Sequence, residues 1–230
     1  MFKIALTAGH YLGTPGKNCL DILDPNETKE WILNDRIADK VEKLLKGYTG
    51  YELIRTDDTT GKKDIPLQAR TNAANNFKAD FYLSIHHNAG INGGTGGGIV
   101  AFVYTNASKE SVEWQKELYN ALIAKTGLKG NRSNPLPKKN LHEVRETTMP
   151  AVLLELGFMD SKTDLPVILT EDYANKCAEA IVEVLVKRGG LKKAEPEKLW
   201  KVQCGAFSKK ENAEKLAKAL KNDGYDAIIV

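Results

Sequence analysis

Ala151-Val152-Leu153-Leu154-Glu155-Leu156 is a short apolar run broken by a single carboxylate. A run with no polar alternation reads as a strand buried on both faces, the habit of parallel sheets covered by helices. Working outward, similar runs alternate with helical patterns. Phe2 to Thr7, Tyr51 to Arg55, Asp80 to His86 and Gly98 to Tyr104 read as strands. Between them, Glu30, Asn34, Ile37, Val41 and Leu44 share one face at helical spacing. Leu67 to Phe77, Ser111 to Thr126 (ended by Gly127) and Tyr173 to Lys187 read as further helices. This alternation implies an α/β fold with a mostly parallel twisted sheet flanked by helices.

The pattern breaks at Gly189-Gly190-Leu191-Lys192-Lys193-Ala194-Glu195-Pro196-Glu197-Lys198, where Gly, Pro and charge predict a linker over 189–198. Residues 1–188 then form the main domain and residues 199–230 a small βαβ unit. Its expected parts are a strand (Leu199 to Gln203), a helix (Lys210 to Asn222) and a closing strand (Asp226 to Val230).

With 230 residues, 42% of them hydrophobic, the chain can bury one good core and carry a small second unit. A net charge of +3 with Lys and Glu intermixed is a mildly basic, solvated surface; it suits an anionic polymer and many other partners alike. Cys19, Cys177 and Cys204 are odd in number and unpaired in spacing, which predicts reduced, buried thiols. The start, Met1-Phe2-Lys3-Ile4-Ala5-Leu6-Thr7, reads as a strand rather than a signal peptide. No apolar run nears the ~18 residues of a membrane span. The expected history is synthesis in the cytoplasm without a signal peptide.

Four ionisable residues fall where α/β folds build sites. His10 follows the first strand and His86 ends the strand Phe81-Tyr82-Leu83-Ser84-Ile85, so both belong at the carboxyl edge of a parallel sheet. Glu30 starts the helix after the first strand, and Glu155 lies near the carboxyl end of its apolar strand, where a buried carboxylate needs a partner. Two His and one Glu with a second carboxylate as base is the composition of a catalytic zinc site. His87, next to His86 in a strand, points to the opposite face, so only one of the two can reach the site. The pattern alone also permits Glu27 or His142 as the third ligand.

The same residues sit in recognisable surroundings. Thr7-Ala8-Gly9-His10, Glu30-Trp31-Ile32-Leu33-Asn34-Asp35-Arg36-Ile37-Ala38 and Arg70-Thr71-Asn72-Ala73-Ala74-Asn75 occur in order, followed by Ala79-Asp80-Phe81-Tyr82-Leu83-Ser84-Ile85-His86-His87-Asn88-Ala89 and Met149-Pro150-Ala151-Val152-Leu153-Leu154-Glu155-Leu156-Gly157-Phe158. Over residues 1–187 this resembles the zinc-dependent N-acetylmuramoyl-L-alanine amidases, a family of sporulation mother-cell-lysis amidases and phage endolysins. The resemblance implies hydrolysis of the amide between N-acetylmuramic acid and L-alanine in peptidoglycan, with Zn2+ as cofactor. It implies His10, Glu30 and His86 as metal ligands and Glu155 as catalytic base. The family's Asp-Pro-Gly-His-Gly-Gly opening is replaced here by Thr7-Ala8-Gly9-His10-Tyr11-Leu12, a phage-like variant that favours an endolysin acting on the wall after release from the cell.

Leu199-Trp200-Lys201-Val202-Gln203-Cys204-Gly205-Ala206-Phe207-Ser208, with Asn212-Ala213-Glu214 and Gly224-Tyr225-Asp226-Ala227, resembles one βαβ half of the SPOR peptidoglycan-binding domain. Half a domain leaves an apolar face (Val202, Ala206, Leu216, Ala219, Leu220 and Ile228) that a second copy would cover, so a homodimer through 199–230 is expected. Peptidoglycan is the expected partner, with neither nucleic acid nor membrane insertion. Gly93-Gly94-Thr95-Gly96-Gly97-Gly98 lacks the Gly-Lys-Ser/Thr of a phosphate cradle and reads as a flexible loop. Arg70 reads as a structural anchor. His142, Glu143 and Arg145 read equally as groove-lining residues or as a solvated loop.

Overall fold

The structure, a computed structural model, describes residues 1–195 and 202–229. It divides into two units, Met1–Ala194 and Glu195–Val230.

The first unit is built on a five-stranded sheet. Its strands are β1 (Phe2–Ala8), β3 (Tyr51–Arg55), β4 (Phe81–Asn88), β5 (Ile99–Phe102) and β6 (Ala151–Phe158). The order is β3-β1-β4-β6-β5, with β3, β1, β4 and β6 parallel and β5 antiparallel at the edge. Strand alternation sorts the side chains onto two faces. Ile4, Leu6, Phe81, Leu83, Ile85, Val152, Leu154 and Leu156 face the larger core layer. That layer is completed by α1 (Glu30–Leu45), α3 (Lys109–Thr126) and α6 (Glu171–Gly189). Ala5, Tyr82, Ala151 and Leu153 face a thinner layer with Ala74 of α2 (Leu67–Phe77) and Val144 of α4 (His142–Arg145).

Helix ends follow local chemistry. Ser108 and Thr170 cap α3 and α6 by accepting from the N–H groups of Ser111 and Tyr173. Gly127 and Gly190 end them with φ of 72° and 63°, a conformation that costs glycine little. One buried cation ties α1 to β3: Arg55 contacts Asp35 and Asp57 at 2.6 Å each, with Asp39 at 3.0 Å and Glu42 at 3.2 Å.

Several expectations move. Leu44 is 39% exposed and Leu45 is buried in its place, because the helical stripe advances by four residues rather than three at its last step. A short α5 (Leu165–Ile168) and a two-stranded ribbon of β2 (Tyr48–Thr49) with β7 (Lys192–Lys193) were not legible as patterns. That ribbon shortens the linker expected over 189–198. Gly189 closes α6, Leu191 is buried, Lys192–Lys193 pair with Tyr48–Thr49, and the first unit runs to Ala194. Pro196–Lys198 lie outside the described residues. The glycine loop at 93–98 is pinned rather than loose. The N–H groups of Gly97 and Gly98 donate to Asn131 Oδ1 and Asp164 Oδ2, and Gly96 N–H donates to Thr163 Oγ1. Positive φ at Gly96, Gly97 and Gly98 is what selects glycine there.

In the second unit α7 (Lys210–Asn222) forms as expected. Val202–Gln203 and Asp226–Ile229 carry no strand pairing, and Leu199–Lys201 and Val230 lie outside the described residues. No residue of α7 is buried. Cys19 and Cys177 are buried thiols, but Cys204 is exposed, because none of the described residues of this unit is buried. Among the described residues, no helix is long and apolar enough to cross a membrane.

Candidate functional site

The carboxyl edge of the parallel strands brings together side chains from distant parts of the sequence. β1 ends at Ala8, and Gly9 N–H continues the ladder by donating to Ile85 O. A Cβ on Gly9 would clash with the imidazole of His86, so glycine leaves room for that ring in its present place. His10 then turns with φ of 68°, unusual for a residue with a side chain and a strain that functional sites hold when their surroundings fix it. Arg70 of α2 supplies that fixing. Its guanidinium donates to the carbonyls of Ala8 (2.7 Å) and His10 (2.9 Å), to Thr7 Oγ1 (3.0 Å) and to Ile65 O (2.8 Å). The expected anchor is thus also the support beneath His10.

Glu30 is the first residue of α1 and fully buried. The helix packs on the opposite face of the sheet from His86, so only a side chain at its very start can reach over the edge. Glu30 Oε1 accepts from the His87 backbone N–H (3.1 Å) and from Asn34 Nδ2 (3.3 Å), and lies 3.1 Å from His86 Nδ1. Its Oε2 lies 3.2 Å from His10 Nε2 and 3.6 Å from Lys17 Nζ, yet makes no hydrogen bond. The His10 and His86 rings stand edge to face, 4.9 Å apart.

His10, Glu30 and His86 each offer one ligand atom within 4.8 Å of the others. Three such donors, with a buried carboxylate oxygen left unpaired among them, fit a divalent cation. Burial opposes a negative charge on Glu30, but the two imidazoles hold its carboxyl well below the usual range. Burial likewise opposes a charged His86, and the carboxylates of Glu143 and Glu30 outweigh it, raising its pKa to about 10. Such a site attracts positive charge strongly.

Glu155 lies next to this group. It is the cross-strand neighbour of His86 in β6, and both project to the thinner layer's face. Burial pushes its carboxyl up to about 7, against the pull of His86, and its Oε2 has no hydrogen-bond partner.

The alternatives left open by the sequence fall away from the cluster. Glu27 is exposed and accepts from Asn18 Nδ2 at 3.2 Å. His142 Nε2 lies 3.4 Å from Thr71 Oγ1. His87 points to the opposite face, as expected, with Nδ1 2.8 Å from Asn34 Oδ1. Asn34 also donates to Gly9 O at 3.1 Å and so locks α1 to β1 and β4.

Two participants escaped the sequence reading. Lys17 reaches Glu30 from the loop after β1, with no motif to announce it. Glu143 is 4% exposed, neither groove lining nor solvated loop, and contacts Tyr82, Ser84 and His86. A signal existed: Tyr82, Ser84 and His86 alternate along one face of a strand otherwise apolar and buried, and such polar atoms require partners.

The N-acetylmuramoyl-L-alanine amidase family profile matches residues 4–187, and the SPOR domain profile matches residues 196–230. A sporulation-specific N-acetylmuramoyl-L-alanine amidase of Bacillus subtilis (strain 168) is 32% identical over all of this chain and 85% of its own length. The endolysin of Bacillus phage SPP1 is 30% identical over 73% of this chain and 61% of its own. Among solved structures, the catalytic domain of the amidase CwlV from Bacillus (Paenibacillus) polymyxa var. colistinus superposes with a TM-score of 0.72 at 27% identity. That match covers 84% of this chain and 100% of the other. An amidase from Clostridium difficile 630 also gives 0.72 at 26% identity, over 81% of this chain and 95% of the other. The chain belongs to the N-acetylmuramoyl-L-alanine amidases: it is a hydrolase of peptidoglycan, with a SPOR segment behind its catalytic domain.

Proposed function

We propose that the amidase works with zinc, held by His10, Glu30 and His86, and that Glu155 is its general base. The observation that carries this reading is the placement of Glu155 beside His86 at the edge where the three donor atoms lie within 4.8 Å. Zinc, when bound, supplies Lewis acidity that polarises the scissile carbonyl and acidifies water. Glu155 takes a proton from the attacking water and returns it to the nitrogen of the departing L-alanine. Its unpaired Oε2 and its raised pKa suit that exchange near neutrality. Lys17 adds positive charge 3.6 Å from Glu30 Oε2, at the rim of the donor cluster.

In this reading residues 199–230 are a wall-binding half-domain that pairs with a second copy, making the enzyme a homodimer. The biological setting is wall lysis. The opening around His10 favours a phage endolysin, whereas the sporulation-specific relative aligns along the whole chain, tail included, which favours a mother-cell autolysin.

Purified cell walls incubated with the protein should release free L-alanine amino groups and no reducing sugar. A chelator should abolish that release and zinc should restore it. Restoration by calcium or magnesium but not by zinc would overturn the choice of metal, and cleavage inside the stem peptide would overturn the bond.

A further inference from the structure

Glu143 is a buried carboxylate for which packing gives no reason. It sits in the four-residue α4, and its 4% exposure leaves it little water. Its Oε1 accepts from the Tyr82 hydroxyl at 2.6 Å, and its Oε2 accepts from Ser84 Oγ at 3.1 Å. Tyr82 and Ser84 are themselves fully buried. Two neutral hydroxyls could be served by a neutral acceptor, so they do not explain why a charge is kept where charges are costly. The third neighbour does. His86 Nε2 is buried with no hydrogen-bond partner, and the carboxylate facing it is Glu143, whose Oε2 lies 3.4 Å away at ion-pair distance.

The opposite nitrogen of the same ring, Nδ1, faces Glu30 at 3.1 Å within the donor cluster. A neutral imidazole carries its proton on one nitrogen and its free lone pair on the other, and a ligand needs that lone pair on the cluster side. A carboxylate at Nε2 keeps the proton there and leaves Nδ1 free. We propose that Glu143 is a positioning residue that holds His86 in the Nε2–H tautomer and so sets the affinity of the site for its metal, with Tyr82 and Ser84 aiming the carboxylate. This rests on the reading of His86 as a ligand. The three residues it touches alternate along β4, so a single side chain from α4 spans them all.

The test uses the full chain stripped of metal, with zinc titrated against a chromophoric chelator. Glu143→Gln keeps the shape but removes the charge, and its amide can donate to Nε2 and push the proton onto Nδ1. Zinc affinity should fall about 10–100-fold, the usual effect of losing such an outer partner. Tyr82→Phe, which leaves the Glu143–His86 pair in place, should cost less. In 15N spectra of the zinc-loaded wild type, His86 should show a protonated Nε2 and a metal-bound Nδ1. A folded Glu143→Gln chain with wild-type zinc affinity overturns the proposal, and so does a wild-type His86 with its proton on Nδ1, a measurement that needs no variant to fold. His86→Ala separates the two readings. If it binds zinc as wild type does, the metal site itself is misassigned; if it loses zinc while Glu143→Gln does not, only the role of Glu143 fails.

Discussion

His86 in β4 and Glu155 in β6 are direct cross-strand partners in a parallel ladder, their side chains on the same face at the carboxyl edge. Two residues far apart in sequence are therefore held in register by backbone hydrogen bonds rather than by loops. In the proposed reading Glu155 is the base, and a side chain held this way can be removed without disturbing the proposed ligands. Glu155→Gln should bind zinc like the wild type while amide hydrolysis falls by about 10²–10⁴-fold, the span of general-base contributions. Equal loss of zinc and activity would make Glu155 part of the metal cage instead.

Gly9 gives a prediction about packing. A Cβ there meets the His86 ring directly, so the ring must shift or the strands must part. Gly9→Ala should displace His86, weaken zinc binding, and cost about 1–3 kcal/mol as an overpacked site does. Zinc titration and urea unfolding report the two effects. A variant that behaves as wild type in both would mean the two strands can part at this point.

Much of this was legible in the sequence because it rests on chemistry that is local. The parallel strands are apolar runs; β4 and β6 carry His86 and Glu155 toward their carboxyl ends, and His10 follows the end of β1, where a parallel sheet presents such residues. What was not legible depends on pairing. The antiparallel direction of β5 is not written in its apolar residues, since a buried edge strand looks the same either way. β2 and β7, two residues each, are too short to show a period. Glu143 sits in a single helical turn, so its burial follows from the strand beneath it and not from its own neighbours.

The raised carboxyl of Glu155 sets a pH dependence. Burial lifts it to about 7, so the carboxylate form a base requires appears as pH rises through that region. A bound cation favours the carboxylate, so the acid limb of kcat/KM should lie at or below about 7. Stability runs the other way. Because the folded group keeps its proton when the unfolded one has released it, this residue makes the metal-free protein less stable as pH climbs from about 4.5 toward 7. Urea midpoints of metal-free wild type and Glu155→Gln should converge toward low pH and separate, with the variant higher, near neutrality. Parallel curves would remove Glu155 as the source.

The tail makes a prediction about assembly. Its described part holds one helix, α7, with no buried residue, and leaves Val202 82%, Tyr225 67% and Ile228 67% exposed. The cysteine in this segment, Cys204, is unpaired, so no disulfide braces α7. In the proposed pairing a second copy of the segment would cover this apolar face, and two-fold symmetry would bury both copies' faces at once. Light scattering on the full chain at micromolar concentration should give twice the mass of one chain, and a chain ended at Ala194 should give the mass of one. Val202→Asp together with Ile228→Asp should dissociate the dimer without altering cleavage of small soluble wall fragments, since neither residue belongs to the first unit. A monomeric full chain would sink the dimer, and a dimer that persists after removal of the tail would move its interface to the catalytic domain.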